Sequence, residues 1–242
     1  MSTCISFHDV AIDRGSGIIW SEGSFDIEPG EVTAVIGPNG SGKTTLIELV
    51  LGLLHPTSGK VAVQDNARLG YVPQNYQISI EMAVRARDIV ELGVNGEKYF
   101  LSNANSARTK ELVDSALEKV DARSFANKRF GELSGGQKQR IMIAAALVCD
   151  VQILILDEPL SALDINSARG IVELIKQLNA QNGMTTLIVT HDLGLLLPVL
   201  SSVIYLVDGH AHYQKLDDDE HKDFGDLLEH LKTLRVGDHD IS

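Results

Sequence analysis

The sequence predicts an α/β fold: a mostly parallel sheet with crossover helices, an antiparallel β portion and an inserted helical lobe. Three observations predict it. The glycine-rich stretch Gly37-Pro38-Asn39-Gly40-Ser41-Gly42-Lys43-Thr44-Thr45 lies between an apolar β-branched run and an apolar helical one. Short apolar strands alternate with helical patterns on either side of it. From about Ser79 to Cys149 the chain turns helical and poor in strand formers, and then strands return.

Taken in order, Phe25 and Ile27 alternate with Ser24, Asp26 and Glu28, as in a half-exposed strand, and Pro29-Gly30 turns the chain. Val32 to Ile36 reads as a buried strand and Leu46 to Leu51 as a helix, closed by Pro56-Thr57-Ser58-Gly59. Val61 and Val63 mark a strand, and Arg68 to Val72 another, ending at Pro73. In the lobe, Glu81 to Leu92 is one helix and Gly93 to Ser106 a polar loop. Leu112, Val113, Ala116, Leu117 and Val120 share the face of the next helix. Ile141, Ile143, Ala144, Leu147 and Val148 mark the one after Gly136. Val151 to Leu156 is an apolar strand ending in two acids, and Ile171 to Leu178 a helix. Thr185 to Thr190 and Val203 to Val207 are strands, the second turning at Asp208-Gly209 into a hairpin. One domain results over residues 1–242. Its core is 1–78 with 150–215, its helical lobe 79–149, and its acidic tail 216–242.

The glycine-rich stretch fits the phosphate-loop pattern G-x-x-x-x-G-K-[ST] at every fixed position. Its glycines let the backbone curl so that successive N–H groups point at one anion. The following helix adds unpaired N–H groups and the positive end of its dipole. Lys43 reaches the β- and γ-phosphates in such a loop, and Thr44 holds Mg²⁺ through its hydroxyl. The chain therefore reads as a binder of a nucleoside triphosphate.

Composition narrows the partners. At 44% hydrophobic and 22% charged the chain is an ordinary globular protein. Its net charge of -12 argues against general affinity for nucleic acid, which needs a basic face. Cys4 and Cys149 are far apart and read as reduced, buried thiols. No signal peptide is visible. No stretch approaches the ~18 to 20 apolar residues of a membrane helix, so any membrane is crossed by another chain.

Asp157-Glu158 closes the apolar strand 151 to 156. A carboxylate at the end of a buried strand suits a Mg²⁺ ligand, which is Asp157. Glu158 beside it is placed to orient and deprotonate a water for attack on the γ-phosphate. In isolation such a pair reads as solvated acids starting a turn at Pro159; the phosphate loop upstream favours the chemical reading.

Leu133-Ser134-Gly135-Gly136-Gln137 is a second anion site, a serine and two glycines opening a helix. One nucleotide needs one phosphate loop, so a second site makes sense if it serves a nucleotide held by another copy. With this motif the chain resembles the ATP-binding-cassette ATPases, from about Phe7 to Gly209. The resemblance implies a P-loop NTPase (RecA-like) core, with ATP and Mg²⁺ as cofactors. It implies that Gly37 to Thr45 is the Walker A motif and Ile153 to Asp157 the Walker B motif. Glu158 becomes the catalytic glutamate. Gln74, after Tyr71-Val72-Pro73, matches the Q-loop glutamine that contacts Mg²⁺ and the attacking water. Leu133 to Gln137 matches the signature that touches the γ-phosphate across a dimer. Ser161-Ala162-Leu163-Asp164 matches the D-loop, and His191 the switch histidine on the γ-phosphate.

The chain departs from the family's pattern at two places. The family usually stacks an aromatic residue on adenine, upstream of Walker A. Matching without gaps puts Arg14 there, and Trp20 is the nearest aromatic downstream. Leu160 stands where threonine or serine is common.

One cassette with no membrane span resembles the separate ATPase subunit of a bacterial-type transporter. Gly52 to Gly59, Gly70 to Gln74 and Phe130 to Ser134 most resemble the ATPases of zinc, manganese or iron importers. That implies a homodimer docked on transmembrane permease subunits at the cytoplasmic face of the membrane, with an extracytoplasmic substrate-binding protein. A cassette ATPase acting in a cytosolic assembly, such as iron–sulfur cluster assembly, is the alternative, as is a subunit for a non-metal substrate. Five of the eight histidines, His210, His212, His221, His230 and His239, follow Asp208. Imidazole and carboxylate suit Zn²⁺ or Mn²⁺. The plainer reading is a solvated acidic tail around one amphipathic helix, with Phe224, Leu227, Leu228, Leu231 and Leu234 inward.

Overall fold

Period-two alternation in the first residues builds a small antiparallel sheet. In the computed structural model, which describes residues 3–13, 18–75, 84–95 and 107–216, β1 (Ile5–Asp13) pairs with β2 (Ile18–Ile27) and β4 (Ser58–Val63). The order is β2-β1-β4, and Phe7 stands opposite both Phe25 and Val61. The described chain forms two units, Met1–Asn66 with Thr185–Ser242, and Ala67–Met184.

In the first unit, β7 (Thr185–Val189), β3 (Val32–Ile36) and β8 (Ser202–Val207) run parallel in that order. Every residue of β3 and β7 is buried. Burial on both faces is why these strands read as short apolar and β-branched runs without alternation. β9 (His210–Lys215) returns antiparallel to β8 through the expected turn, where Asp208 (φ 47) and Gly209 (φ 82) are both left-handed. That pair of conformations is what a two-residue hairpin turn with the right twist requires. His210 and His212 therefore belong to a strand, while 217–242, with the other three histidines and the expected tail helix, lies outside the described residues.

Four aromatic rings lie in a row in this unit. The Phe7 and Phe25 rings lie 4.5 Å apart, Phe25 and Tyr213 5.9 Å, and Phe7 and Trp20 6.0 Å. Beside it the buried Glu31 carboxylate accepts from the Tyr213 hydroxyl at 2.9 and 3.2 Å and from Ser202 Oγ at 3.3 Å. Lys215 Nζ lies 3.3 Å from the same carboxylate. A buried charge is tolerated when it is paired and hydrogen-bonded in this way.

The second unit pairs β5 (Leu69–Val72) in parallel with β6 (Ile153–Asp157). Its helices are α2 (Ala86–Asn95), α3 (Ala107–Lys119), α4 (Gly135–Leu147) and α5 (Ile165–Asn182). The helix expected over 81–92 starts at Ala86 and runs through Gly93 to Asn95. Gly93 is there for packing: a Cβ on it would meet the Ala145 carbonyl of α4. Residues 76–83 and 96–106, with most of the expected loop, lie outside the described residues. Arg140 in α4 forks between two carbonyls, Val120 O at 2.7 Å and Gly170 O at 3.1 Å, and so ties the chain after α3 and helix α5 to α4. Among the described residues no helix is long and apolar enough to cross a membrane.

Candidate functional site

In the first unit the parallel register sets the site. Val35 stands opposite Val189. Gly37 and His191 each follow two residues later and leave the sheet at the same edge. Between β3 and α1 (Lys43–Val50) the chain makes the loop 37–42, with Gly40 (φ 83) and Gly42 (φ 95) left-handed. Gly42 is also the N-cap of α1, so the first-turn N–H groups of the helix open onto the loop. Lys43 Nζ donates to the carbonyls of Gly37 at 2.7 Å and Pro38 at 2.9 Å. The ammonium thus closes the loop into a ring. Ser41 Oγ is buried and unpartnered among the described residues. Pro38, Asn39 and Thr44 complete the exposed rim, and Thr45 is buried under it.

Beneath this loop lies Trp20, fully buried at 0% exposure. An indole with no accessible surface cannot stack on a base. The only tryptophan of the chain is a core residue, and Arg14 lies outside the described residues.

The second unit repeats the register device. Val72 stands opposite Leu156, and Gln74 and Glu158 each follow two residues later. Gln74, Asp157, Glu158, Ser161, Ala162 and the signature residue Gly135 line one cleft of about 480 Å³. The Tyr71 phenol hydrogen-bonds Asp157; burial and the Asp157 charge push its pKa up, so it stays a donor to that carboxylate. Glu158 (φ 51) and Ala162 (φ 61) are left-handed.

The signature opens α4 with a capping box. Gln137 N donates to Ser134 Oγ at 3.3 Å, and Ser134 N donates to Gln137 Oε1 at 3.1 Å. Gln137 is thereby occupied in shaping the turn, and Leu133 is buried as its anchor. Gly136 is a close-approach glycine: a Cβ on it would stand 2.9 Å from the Ser167 side chain of α5. Asp164 caps α5, accepting from Asn166 N and Ser167 N at 3.0 Å each and from Ser167 Oγ at 2.6 Å. The Ser167 hydroxyl holds its carboxyl below the usual range.

Each unit therefore collects its own sequence-predicted residues: the loop and His191 in one, Gln74, Asp157, Glu158, the signature and Asp164 in the other. The motifs contain Tyr71 and Ser161 but give neither a chemical role. Only the strand register and the turn geometry reveal their contacts. Thr44 hydroxyl, Gln74 amide oxygen and Asp157 carboxylate are all hard oxygen donors, the chemistry that Mg²⁺ takes. Among the described residues no three or more His, Cys, Asp or Glu side chains group in a metal-holding way.

A buried parallel strand, a glycine loop closed by its lysine, a helix opening on that loop and a strand-end Asp-Glu define a P-loop nucleoside triphosphatase. The family described as ABC transporter matches residues 21–161, more than half of the chain, and the chain belongs to that family as an ATP-binding, ATP-hydrolysing cassette. It is 36% identical over 202 residues to the zinc uptake system ATP-binding protein ZurA of Listeria innocua, covering 78% of each chain. It is 32% identical over 206 residues to the zinc import ATP-binding protein ZnuC of Yersinia enterocolitica, covering 85% of this chain and 77% of the relative. The manganese transport system ATP-binding protein MntA of Synechocystis is 33% identical over 207 residues, covering 80% of this chain and 79% of the relative. Among solved structures, a dimeric post-hydrolysis state of an ATP-binding cassette bound to ADP and Pi superposes with a TM-score of 0.71 at 28% identity, covering 88% of this chain and 99% of that one. CbiO1 of Clostridium perfringens, part of the ABC transporter complex CbiONQ, gives 0.78 at 25% identity, covering 98% and 94%. The expected family, the P-loop fold and the ATPase activity are borne out.

Proposed function

We propose that this chain energises import of a metal ion, or a metal chelate, through separate transmembrane permease subunits. The observation that carries the metal reading is that relatives at 32 to 36% identity across most of their length are named for zinc or manganese. The chain sits at the cytoplasmic face of the membrane without crossing it. An extracytoplasmic substrate-binding protein delivers the cargo, and ATP closes a homodimer.

The residue roles follow from the chemistry of each group. Lys43 and the N–H groups of the loop 37–45 bind the triphosphate. Ser134 to Gln137 of the other copy bind its γ-phosphate. Phosphoryl transfer needs in-line positioning and charge stabilisation more than covalent chemistry. Glu158 orients the attacking water and takes its proton. His191 holds the γ-phosphate, and Gln74 orients the water and relays the state of the site toward the permease. Thr44, Gln74 and Asp157 would hold Mg²⁺, which neutralises phosphate charge when bound. Asp164 supports the dimer through the turn that it caps. The region 79–149 acts as the lobe that carries the signature.

Glu158→Gln tests the chemical step. It keeps ATP binding, removes most turnover and lets an ATP-bound dimer accumulate, read by size-exclusion chromatography. Near-normal turnover takes Glu158 out of its role. Affinity isolation of the tagged chain from detergent-solubilised membranes tests the transport reading. A permease that co-purifies supports it; a soluble cytosolic assembly in its place overturns it.

A further inference from the structure

Glu158 stands in a backbone conformation that two local features oppose. Its φ of 51 is left-handed, a region that side chains with a Cβ seldom adopt. It also precedes Pro159, and a proline ring pushes the residue before it toward extended backbone. Such an outlier persists only where the surroundings over-determine it.

Two hydrogen bonds from one residue restrain it. Ser161 Oγ donates to the Glu158 carbonyl at 2.8 Å, and Ser161 N donates to the same oxygen at 3.2 Å. The second bond closes a tight turn whose corner is Pro159-Leu160. The first is the shorter and comes from a side chain. Fixing the carbonyl fixes ψ of Glu158. With φ, this sets the direction of its Cα–Cβ bond. Ser161 and Glu158 line the same cleft as Gln74 and Asp157, so that bond sets the point from which the Glu158 side chain reaches into the cleft. Downstream, Leu163 N bonds the Leu160 carbonyl at 3.3 Å and Asp164 caps α5, so the turn is anchored to a long helix.

We propose that Ser161 is a positioning residue for Glu158: its hydroxyl locks the left-handed turn and holds the carboxylate on the cleft. This rests on the reading of Glu158 as the group that activates water. Ser161 acts through the main chain and touches neither the water nor the phosphate.

The test is a kinetic cycle on the full chain with Mg²⁺ and ATP. Ser161→Ala lowers kcat by about five- to tenfold, the effect of one hydrogen bond read through the rate law, with KM for ATP within about twofold. Ser161→Thr, which keeps the hydroxyl, restores most of kcat. In a Glu158→Gln background, Ser161→Ala adds no further loss, because the group it positions is already disabled. Nucleotide affinity and thermal unfolding are measured on every variant. If Ser161→Ala does not fold, Ser161→Cys, a far weaker donor of similar size, takes its place. Unchanged kcat in Ser161→Ala beside an inactive Glu158→Gln overturns the proposal and leaves the role of Glu158 standing. A rise in KM alone overturns it by making Ser161 a nucleotide contact. An equal further loss in the Glu158→Gln background overturns it by making the two residues independent. Near-normal turnover in Glu158→Gln instead overturns the reading beneath it.

Discussion

Gly42 rests on the edge of the Trp20 indole: a Cβ built on Gly42 would stand 2.7 Å from Trp20 Nε1, and 2.6 Å from Ile19 Cγ2. The loop and the core are therefore in direct contact at the residue before the loop's lysine. Gly42 is also left-handed at φ 95. Alanine there is opposed twice, by the conformation and by the space.

This contact makes the sole tryptophan a reporter of the loop. Titration with ATP changes the intrinsic fluorescence of the wild-type chain along a saturable curve. Lys43→Ala, which removes the charge proposed to bind phosphate, flattens that curve. Gly42→Ala abolishes ATP binding while the far-ultraviolet circular dichroism stays native. Trp20→Phe leaves the ratio of ATP to GTP affinity unchanged, because the buried ring does not meet the base. An ATP-over-GTP preference that collapses in Trp20→Phe would return Trp20 to base stacking and contradict its burial.

The Tyr213–Glu31 pair carries a pH prediction. Burial, with the hydrogen bond and charge of Glu31, pushes the Tyr213 phenol up to about 12 from its ordinary 10.0. A group whose pKa is raised by folding stabilises the fold fully below its unfolded pKa. That contribution fades as pH rises through the folded value. The pair therefore supports stability up to about pH 10 and loses its effect toward pH 12. Tyr213→Phe strips the buried carboxylate of one donor, at a cost of about 1–3 kcal/mol. Urea unfolding of both proteins between pH 8 and pH 12 checks it, on the scale of the ordinary phenol at 10.0. The gap between them is widest on the neutral side and narrows with alkali; a gap that widens there refutes the assignment.

Where the sequence was legible, one physical signal dominated each element. β3 and β7 are buried on both faces and show as apolar and β-branched runs without alternation, and Asp208-Gly209 is a turn by its own chemistry. The phosphate loop and the signature show because their glycines stand at fixed spacings, Gly40 and Gly42 in left-handed backbone and Gly136 against Ser167. What stayed hidden depends on three-dimensional register. Gly93 looks like a loop residue until α4 is seen lying against it. Trp20 looks available to a base until its ring is found between Phe7 and the underside of the loop. The strain at Glu158 leaves no mark in the sequence, because Pro159 after it argues for extended backbone, not for the left-handed one found.

The geometry of Ser134 gives the last prediction. Its Oγ accepts from Gln137 N, so its own proton remains to be donated, and it caps α4 while doing so. One side chain thus has two jobs that substitution can separate. Ser134→Ala loses both, at a cost in stability of about 0.5–2 kcal/mol for the cap. Ser134→Asp keeps the capping acceptor, but puts a negative charge where a γ-phosphate of the other copy is proposed to bind. It folds with near-native stability and hydrolyses little ATP. Mixed with Lys43→Ala chains, it forms heterodimers in which one composite site keeps an intact loop from one copy and an intact signature from the other. The decisive reading is concentration dependence in the wild type. Specific activity falls as the chain is diluted through the dissociation constant of its ATP-bound dimer, measured by analytical ultracentrifugation of Glu158→Gln. Activity that stays flat far below that constant means each chain hydrolyses ATP alone, and the signature then has no partner nucleotide to serve.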